Sequence, residues 1–173
     1  MTVDALVGPE GARAAGAVLG PAFVEDPLWT WMLRGGSRER RLTAAFTAFA
    51  ARASRTPGSQ LLVTAERTAA AVWLPPGAWR APLREQVRTA PGLAGALRPG
   101  GTFRALRMQA VVERLHPREP HWYLEALGAV PRARGTVRCV ATRAESGAGV
   151  DHPSAHYAGD RSHQALRGVR LLG

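Results

Sequence analysis

The chain has 173 residues with 46% hydrophobic content, a formal net charge of +10 and a single cysteine, Cys139. This length and composition are typical of one globular domain that buries a core, and they exclude a long disordered chain. A lone cysteine excludes an intramolecular disulfide framework, and the apolar runs are too short to span a membrane. The start of the chain, with Asp4 and Glu10, does not resemble a secretory signal, so we expect a cytoplasmic protein without a membrane partner.

All 23 basic residues are arginine, and they are spread along the chain. Nucleic-acid binding would require basic residues on one face with aromatic residues between them. Basic charge without a recognition motif supports only weak, salt-dependent binding. We therefore expect no specific nucleic-acid partner. We interpret the arginine content as a compositional bias toward arginine over lysine, and its positive charge also attracts an anionic cofactor.

The first third of the chain predicts a short strand followed by three helices. Residues 2–7 alternate loosely, and Pro9 then suits the first turn of a helix. Asp26, which a proline follows, is typical of a helix N-cap. Ser37 is a second N-cap candidate, and the apolar spacing behind it predicts an amphipathic helix that ends near Arg55.

The middle of the chain predicts a hairpin, two helices and a further strand. Residues 60–64 and 69–74 are strand-like and are joined by a short polar bend, which is typical of a hairpin. Helices are expected at 82–89 and 102–115, with a connecting segment rich in glycine and proline between them. Residues 122–130 are rich in large apolar groups and stop at a proline, which predicts a central strand.

The last part of the chain differs in character from the rest. After Gly135 there is no strand pattern of useful length and no apolar helical stripe. Such a segment buries too little apolar surface to offset the entropy of ordering. We expect residues 136–173 to form an aberrant, weakly structured tail outside a domain that covers residues 1–135.

Three segments carry a family signal: residues 22–29 read AFVEDPLW, 71–77 read AVWLPPG and 119–131 read EPHWYLEALGAVP. Together with the alternation of strands and helices, they resemble the GNAT superfamily of acyl-CoA N-acyltransferases over residues 1–135. The resemblance implies an α/β fold with a mixed sheet flanked by helices, in which the acyl-CoA lies against a splayed central strand. It also implies that an amine attacks the thioester directly, so that an acetyl group passes from acetyl-CoA to a primary amine.

The resemblance further implies where acetyl-CoA binds. The residues carried over by position are Leu127, Gly128, Ala129, Val130, Arg132, Arg134 and Gly135. In the family, the pyrophosphate lies on a loop of pattern Q/R-x-x-G-x-G/A that opens a helix, where free N–H groups and the helix dipole favour an anion. Here the pattern is interrupted, because Val137 occupies a glycine position whether the motif starts at Arg132 or at Arg134.

We therefore expect the C-terminal CoA-binding helix and strands to be missing or distorted, and the acetyltransferase activity to be weakened or lost. A shift of the reading frame just after Gly135 is one explanation, and genuine divergence is the other. The alternative function is a non-catalytic, truncated or frame-shifted remnant that acts at most as a binding module, through the sheet edge left by a missing strand.

The residues on the acceptor side are less specific. Glu125 is a candidate general base for an ammonium nucleophile, or else a salt-bridged or edge carboxylate. His116 and His121 lack a third ligand at fixed spacing, so no metal site is expected. Four aromatic residues suit either an acceptor pocket or core packing, namely Trp29, Trp31, Trp73 and Tyr123. The expected partner is a small-molecule amine, a peptide N-terminus or a side-chain amine, and a homodimer is left open.

Overall fold

The computed structural model describes residues 3–133 of the chain. Its elements are β1 (Val3–Ala5), α1 (Gly8–Ala22), α2 (Pro27–Met32), α3 (Arg38–Arg55), β2 (Gln60–Thr64), β3 (Ala69–Leu74), α4 (Leu83–Leu115) and β4 (Tyr123–Ala129), followed by a 3-10 turn over Pro131–Ala133. The predicted cofactor residues Arg134 and Gly135, and the predicted tail 136–173, lie outside the described residues.

The four strands form one sheet in the order β1-β2-β3-β4. The α/β class is confirmed, but every strand pair within residues 3–133 is antiparallel, whereas a mixed sheet was predicted. The hairpin of β2 and β3 is confirmed, and its bend is held by Thr64, whose Oγ1 accepts the backbone N–H groups of Thr68 at 2.9 Å and Ala69 at 3.0 Å.

The prediction that the last strand is central is not met in the described range, where β4 stands at the end of the sheet and pairs with β3 alone. The reason is that an apolar run indicates that both faces of a strand are buried, whereas it does not indicate whether a neighbouring strand pairs with each of its edges. The position of β4 in the order therefore has to come from the structure.

Helices α1 and α3 cover one face of the sheet and form the main core with it, in which Leu19 and Leu42 are fully buried. The two helices approach closely because α1 carries glycine at the contact. A Cβ atom on Gly16 would lie 2.9 Å from the carbonyl oxygen of Thr43 on α3, closer than real Cβ contacts come. The glycine therefore sets the spacing between α1 and α3.

The two predicted N-caps behave differently. Asp26 caps α2 as predicted, since its Oδ1 accepts the backbone N–H of Trp29 at 3.0 Å. The prediction for Ser37 is wrong in its chemistry, although the helix it precedes is present. Ser37 has a left-handed backbone, with φ of 58°, and its side chain caps no backbone N–H of α3. Its hydroxyl instead accepts a hydrogen bond from Arg40 at 2.9 Å.

The prediction of two helices is confirmed, because α4 consists of two helices that meet at a kink, but the long connecting segment expected over 91–101 is wrong. One element, α4, runs through Pro91 and is interrupted at a single residue, Arg98, with φ of 60° and ψ of 168°. Proline has no N–H, so the carbonyl of Val87, four residues before Pro91, has no donor within the helix. Pro91 is tolerated because Val87 is exposed to water. The interruption falls at Arg98, the residue before Pro99, where proline disfavours the helical backbone.

The break in α4 leaves backbone carbonyls without helical donors, and α3 supplies them. Arg41 donates from Nε to the carbonyl of Ala96 at 2.6 Å and from Nη2 to that of Leu97 at 3.2 Å. Arg41 is itself buried, and burial lowers the pKa of its guanidinium, with Arg98 and Arg104 adding to the effect. A buried arginine therefore fixes the kink of α4 against α3.

Candidate functional site

A β-bulge interrupts the pairing of β3 and β4 at Glu125. Val72 pairs with Ala126, and the next pair along the strands skips Glu125. Because the extra residue breaks the alternation of the strand, Glu125 and Ala126 both face the helical layer. Ala126 packs in the main core there, while the Glu125 side chain reaches Arg52 on α3.

Glu125 and Arg52 form a buried ion pair. Glu125 Oε1 accepts a hydrogen bond from Arg52 Nη1 at 2.7 Å, and the two side chains are 12% and 9% exposed. Arg52 Nη2 also donates to the carbonyls of Ala78 at 2.7 Å and Trp79 at 3.1 Å. Of the two interpretations that the sequence left open for this carboxylate, the structure places it in a salt bridge.

Sequence reasoning missed Arg52. The signal that could have found it is its position three residues after Phe49 on the apolar stripe of α3, where an arginine is expected to need a buried partner. Nothing in the spacing identifies that partner, because Glu125 lies 73 residues further along the chain. The pair exists only through the packing of α3 on the sheet.

Burial raises the pKa of Glu125 to about 7, against the opposing charge and hydrogen bond of Arg52. Its second oxygen, Oε2, is buried and has no hydrogen-bond partner among residues 3–133. Burial, and then the nearby Glu125 charge, also raises the pKa of the Tyr123 hydroxyl, which therefore stays protonated at neutral pH. Glu125 can thus exchange a proton near neutral pH, beside a hydroxyl that keeps its own.

A cluster of rings adjoins the ion pair. The Trp79 and His116 rings stack with centroids 3.7 Å apart, and His116 lies 4.8 Å from His121 and 5.3 Å from Tyr123. Burial, with His121 and Arg80 acting in the same direction, lowers the pKa of His116, so its ring is neutral at neutral pH. The carbonyl of Trp79 joins this ring cluster to Arg52 and hence to Glu125.

The four aromatic residues predicted for the acceptor pocket are placed apart from one another. Trp29 packs in the main core with its ring centroid 5.0 Å from that of Phe46. Trp31 is 39% exposed, and Trp73 packs against a second apolar cluster, formed by alternate residues of the strands. Tyr123 alone of the four joins the ring cluster beside Glu125.

Two of the predicted cofactor residues are explained by the fold itself. A Cβ atom on Gly128 would lie 3.0 Å from the Phe23 ring, so this glycine allows β4 to approach α1. The N–H of Val130 donates to the carbonyl of Thr68 at 2.9 Å and extends the contact between β3 and β4. Arg132 is exposed in the 3-10 turn that follows β4.

Leu127 and Ala129 occupy a different position. Alternate residues of a strand direct their N–H groups to opposite edges. Since the N–H of Val130 points toward β3, the N–H groups of Leu127 and Ala129 point to the other edge of β4. No strand pairs with that edge within residues 3–133. An extended chain could therefore pair with β4 at this edge.

Two further expectations concern metals and membranes. Within residues 3–133, no group of three or more His, Cys, Asp or Glu side chains is placed to hold a metal ion. In the same part of the chain, no helix has the length and apolar character needed to cross a membrane. Comparison of the sequence with models of protein families, and with curated proteins, finds no match to this chain.

Proposed function

We propose that the chain is a GNAT-type N-acetyltransferase domain that transfers an acetyl group from acetyl-CoA to a primary amine, with weakened activity. The observation that supports this best is Glu125, a buried carboxyl with a pKa of about 7 at a bulge of β4. A general base is most effective when its pKa lies near the working pH. An ordinary surface carboxylate would be fully ionised there and a poor proton acceptor.

The proposed chemistry assigns each described group a task. The amine nitrogen bonds to the acetyl carbon, and the carbon–sulfur bond breaks with its electron pair leaving on the CoA sulfur. The proton of the amine passes to Glu125 and from there to the CoA thiolate, which leaves as the thiol. The acetyl-CoA thioester supplies the activated acyl group. The outer edge of β4 binds the extended arm of the donor through Leu127 and Ala129, which orients the thioester for attack.

Two features account for the expectation of low turnover. Arg52 stabilises the ionised form of Glu125 and occupies one of its oxygens, so the carboxylate is a weaker base than burial alone would make it. The glycine loop pattern expected for the pyrophosphate is also interrupted by Val137. Both features lower the rate without removing the amine side of the site.

The second candidate function is a non-catalytic binding module. It is favoured by the same outer edge of β4, which within residues 3–133 has unpaired backbone groups and could add a strand from another chain. In this alternative, Arg52 and Glu125 serve only to join α3 to the sheet.

The test is acetyl transfer from acetyl-CoA to a panel of primary amines. The reaction is measured by the release of the CoA thiol, and the product is identified by mass spectrometry. We expect slow, measurable product formation that falls at least about tenfold in the Glu125→Gln variant. The matched control is Glu66→Gln, at an exposed carboxylate in the bend between β2 and β3. Acetyl-CoA should also raise the melting temperature of the protein; absence of both product and shift would support the binding module instead.

A further inference from the structure

An open cleft of about 620 Å³ lies beside the ring cluster, between the segment after β3 and the end of α4. Its lining residues are Trp79, Arg80, Glu113, Arg114, His116, Pro117 and Arg118, and we call it the arginine cleft. The volume lies in the range of small-molecule sites. Three guanidinium groups face a single carboxylate in it, so the cleft is strongly positive.

The charges of the arginine cleft are only partly matched. Arg80 pairs with Glu113 at 3.4 Å, in an exposed ion pair that contributes little energy. Arg114 and Arg118 make no hydrogen bond or ion pair with any residue in the range 3–133. The C-terminal end of α4 favours a cation at Arg114 through the helix dipole, but Arg118 lies beyond the helix and has no such explanation.

The unpaired guanidinium groups of Arg114 and Arg118 favour an anionic ligand in the cleft. Carboxylate and phosphate groups match the planar fork of arginine and accept two hydrogen bonds from it. The cleft is also lined by the stacked Trp79 and His116 rings, and burial lowers the pKa of His116, so this part of the lining is neutral. Arg114 and Arg118 carry its unpaired positive charge and are exposed, so a small anion can reach them.

The cleft is also connected to Glu125. His116 lines the cleft and contacts Tyr123, with ring centroids 5.3 Å apart. Trp79 lines it too, and its carbonyl accepts a hydrogen bond from Arg52, the partner of Glu125. The cleft and the ring cluster beside Glu125 thus share the Trp79 and His116 rings.

We propose that the acceptor amine also carries an oxyanion, a carboxylate or a phosphate group, which Arg114 and Arg118 bind in the arginine cleft. This inference rests on the proposed acetyl transfer for the role of the amine. The oxyanion site itself depends only on the geometry and charge of the cleft.

The test is isothermal titration calorimetry without acetyl-CoA, using two matched pairs of probes. Phosphoethanolamine is compared with ethanolamine, and glycine with glycinamide, at low ionic strength because salt screens exposed charges. We expect at least one anionic probe to bind about tenfold more tightly than its neutral-ended partner. The pair that shows the difference identifies phosphate or carboxylate as the ligand group.

The variant arm uses Arg114→Gln/Arg118→Gln, with Arg107→Gln on the same helix as the matched control, since Arg107 does not line the cleft. The double variant should lose the preference for the anionic probe, and the control should keep it. Equal binding of both members of each pair, or an equal loss in the control, would overturn the oxyanion site.

Acetyl transfer to the same four probes separates the two proposals. Cleft-dependent binding of an anionic probe without any acetylated product would refute the acetyltransferase and leave the oxyanion site. If ethanolamine is acetylated as fast as phosphoethanolamine, and glycinamide as fast as glycine, the acetyltransferase is supported and the oxyanion site is refuted.

Discussion

Arg52 and Glu125 lie 73 residues apart in the sequence and meet at 2.7 Å, where the Arg52 side chain reaches from α3 to the bulge of β4. Each has a buried atom without a hydrogen-bond partner within residues 3–133, Nε on the arginine and Oε2 on the glutamate. A buried pair that is incompletely hydrogen-bonded is weak evidence for a role in stability. Its hydrogen bond to the carbonyl of Trp79 and its place beside Tyr123 make it part of the candidate site.

Replacing Arg52 by methionine should lower the free energy of unfolding by about 3 kcal/mol, because it leaves a buried carboxylate and two carbonyls without their donor. The control is Arg55→Met on the same helix, where the arginine is 34% exposed and pairs with Glu85 at 2.9 Å. That change should cost less than about 1 kcal/mol. Urea denaturation measures the free energy of unfolding of both variants. An equal loss in the two would contradict the larger contribution expected of Arg52.

The stability of the wild type relative to Glu125→Gln should fall as the pH rises from about 5 to about 8. Burial raises the pKa of Glu125 from 4.5 to about 7, so the folded protein binds this proton more tightly than the unfolded chain does. The resulting stability is fully present below pH 4.5 and is lost as the pH rises through about 7. Denaturation of both proteins across this range measures the effect, and parallel pH profiles would show that the carboxyl titrates normally.

Gly16→Ala should lower the free energy of unfolding by about 1–3 kcal/mol, because the new methyl group would press on the carbonyl of Thr43 and force α1 away from α3. Gly95→Ala on α4 is the control, since nothing lies within 4 Å of a Cβ atom there. Alanine should raise stability at that position by about 0.5–1 kcal/mol, because it is the better helix former. Thermal unfolding distinguishes the two, and a neutral Gly16→Ala would contradict the close approach of α1 and α3.

Asp26→Ala should cost about 1 kcal/mol, because the backbone N–H of Trp29 loses its cap. Ser37→Gly should instead raise stability by up to about 1 kcal/mol, because glycine adopts the left-handed backbone at φ of 58° without strain. The melting temperatures of the two variants should therefore move in opposite directions. A loss on Ser37→Gly would indicate that the serine hydroxyl matters more than its backbone conformation.

The local elements could be read from the sequence where one physical signal dominates. The strands over 60–64 and 69–74 have the predicted bounds, because polar residues and a turn stop both runs. Asp26 caps as predicted because the capping bond involves only the next three residues. The glycines and prolines over 91–101 predict a long connecting segment, but the break is confined to Arg98, because only Pro99 follows a residue that leaves the helical region.

The candidate site could be predicted only in fragments. Glu125 was found from its position on a strand, but its partner Arg52 and the bulge that orients it depend on the packing of distant segments. The apolar run over 122–130 contains no residue that indicates a bulge. The arginine cleft was missed for the same reason, since Arg80 and Arg118 are brought together by the return of α4 to the sheet.

The bulge at Glu125 has a consequence for how this strand can change. Deleting one residue from a strand usually exchanges its two faces and destroys the packing on both. At Glu125 a deletion would instead leave Leu124 opposite Trp73 and Ala126 opposite Val72, as they already are. The carboxyl group thus belongs to a residue that the pairing of β3 with β4 does not require. The residue at this position can therefore be changed or deleted while the other pairs of the two strands are kept.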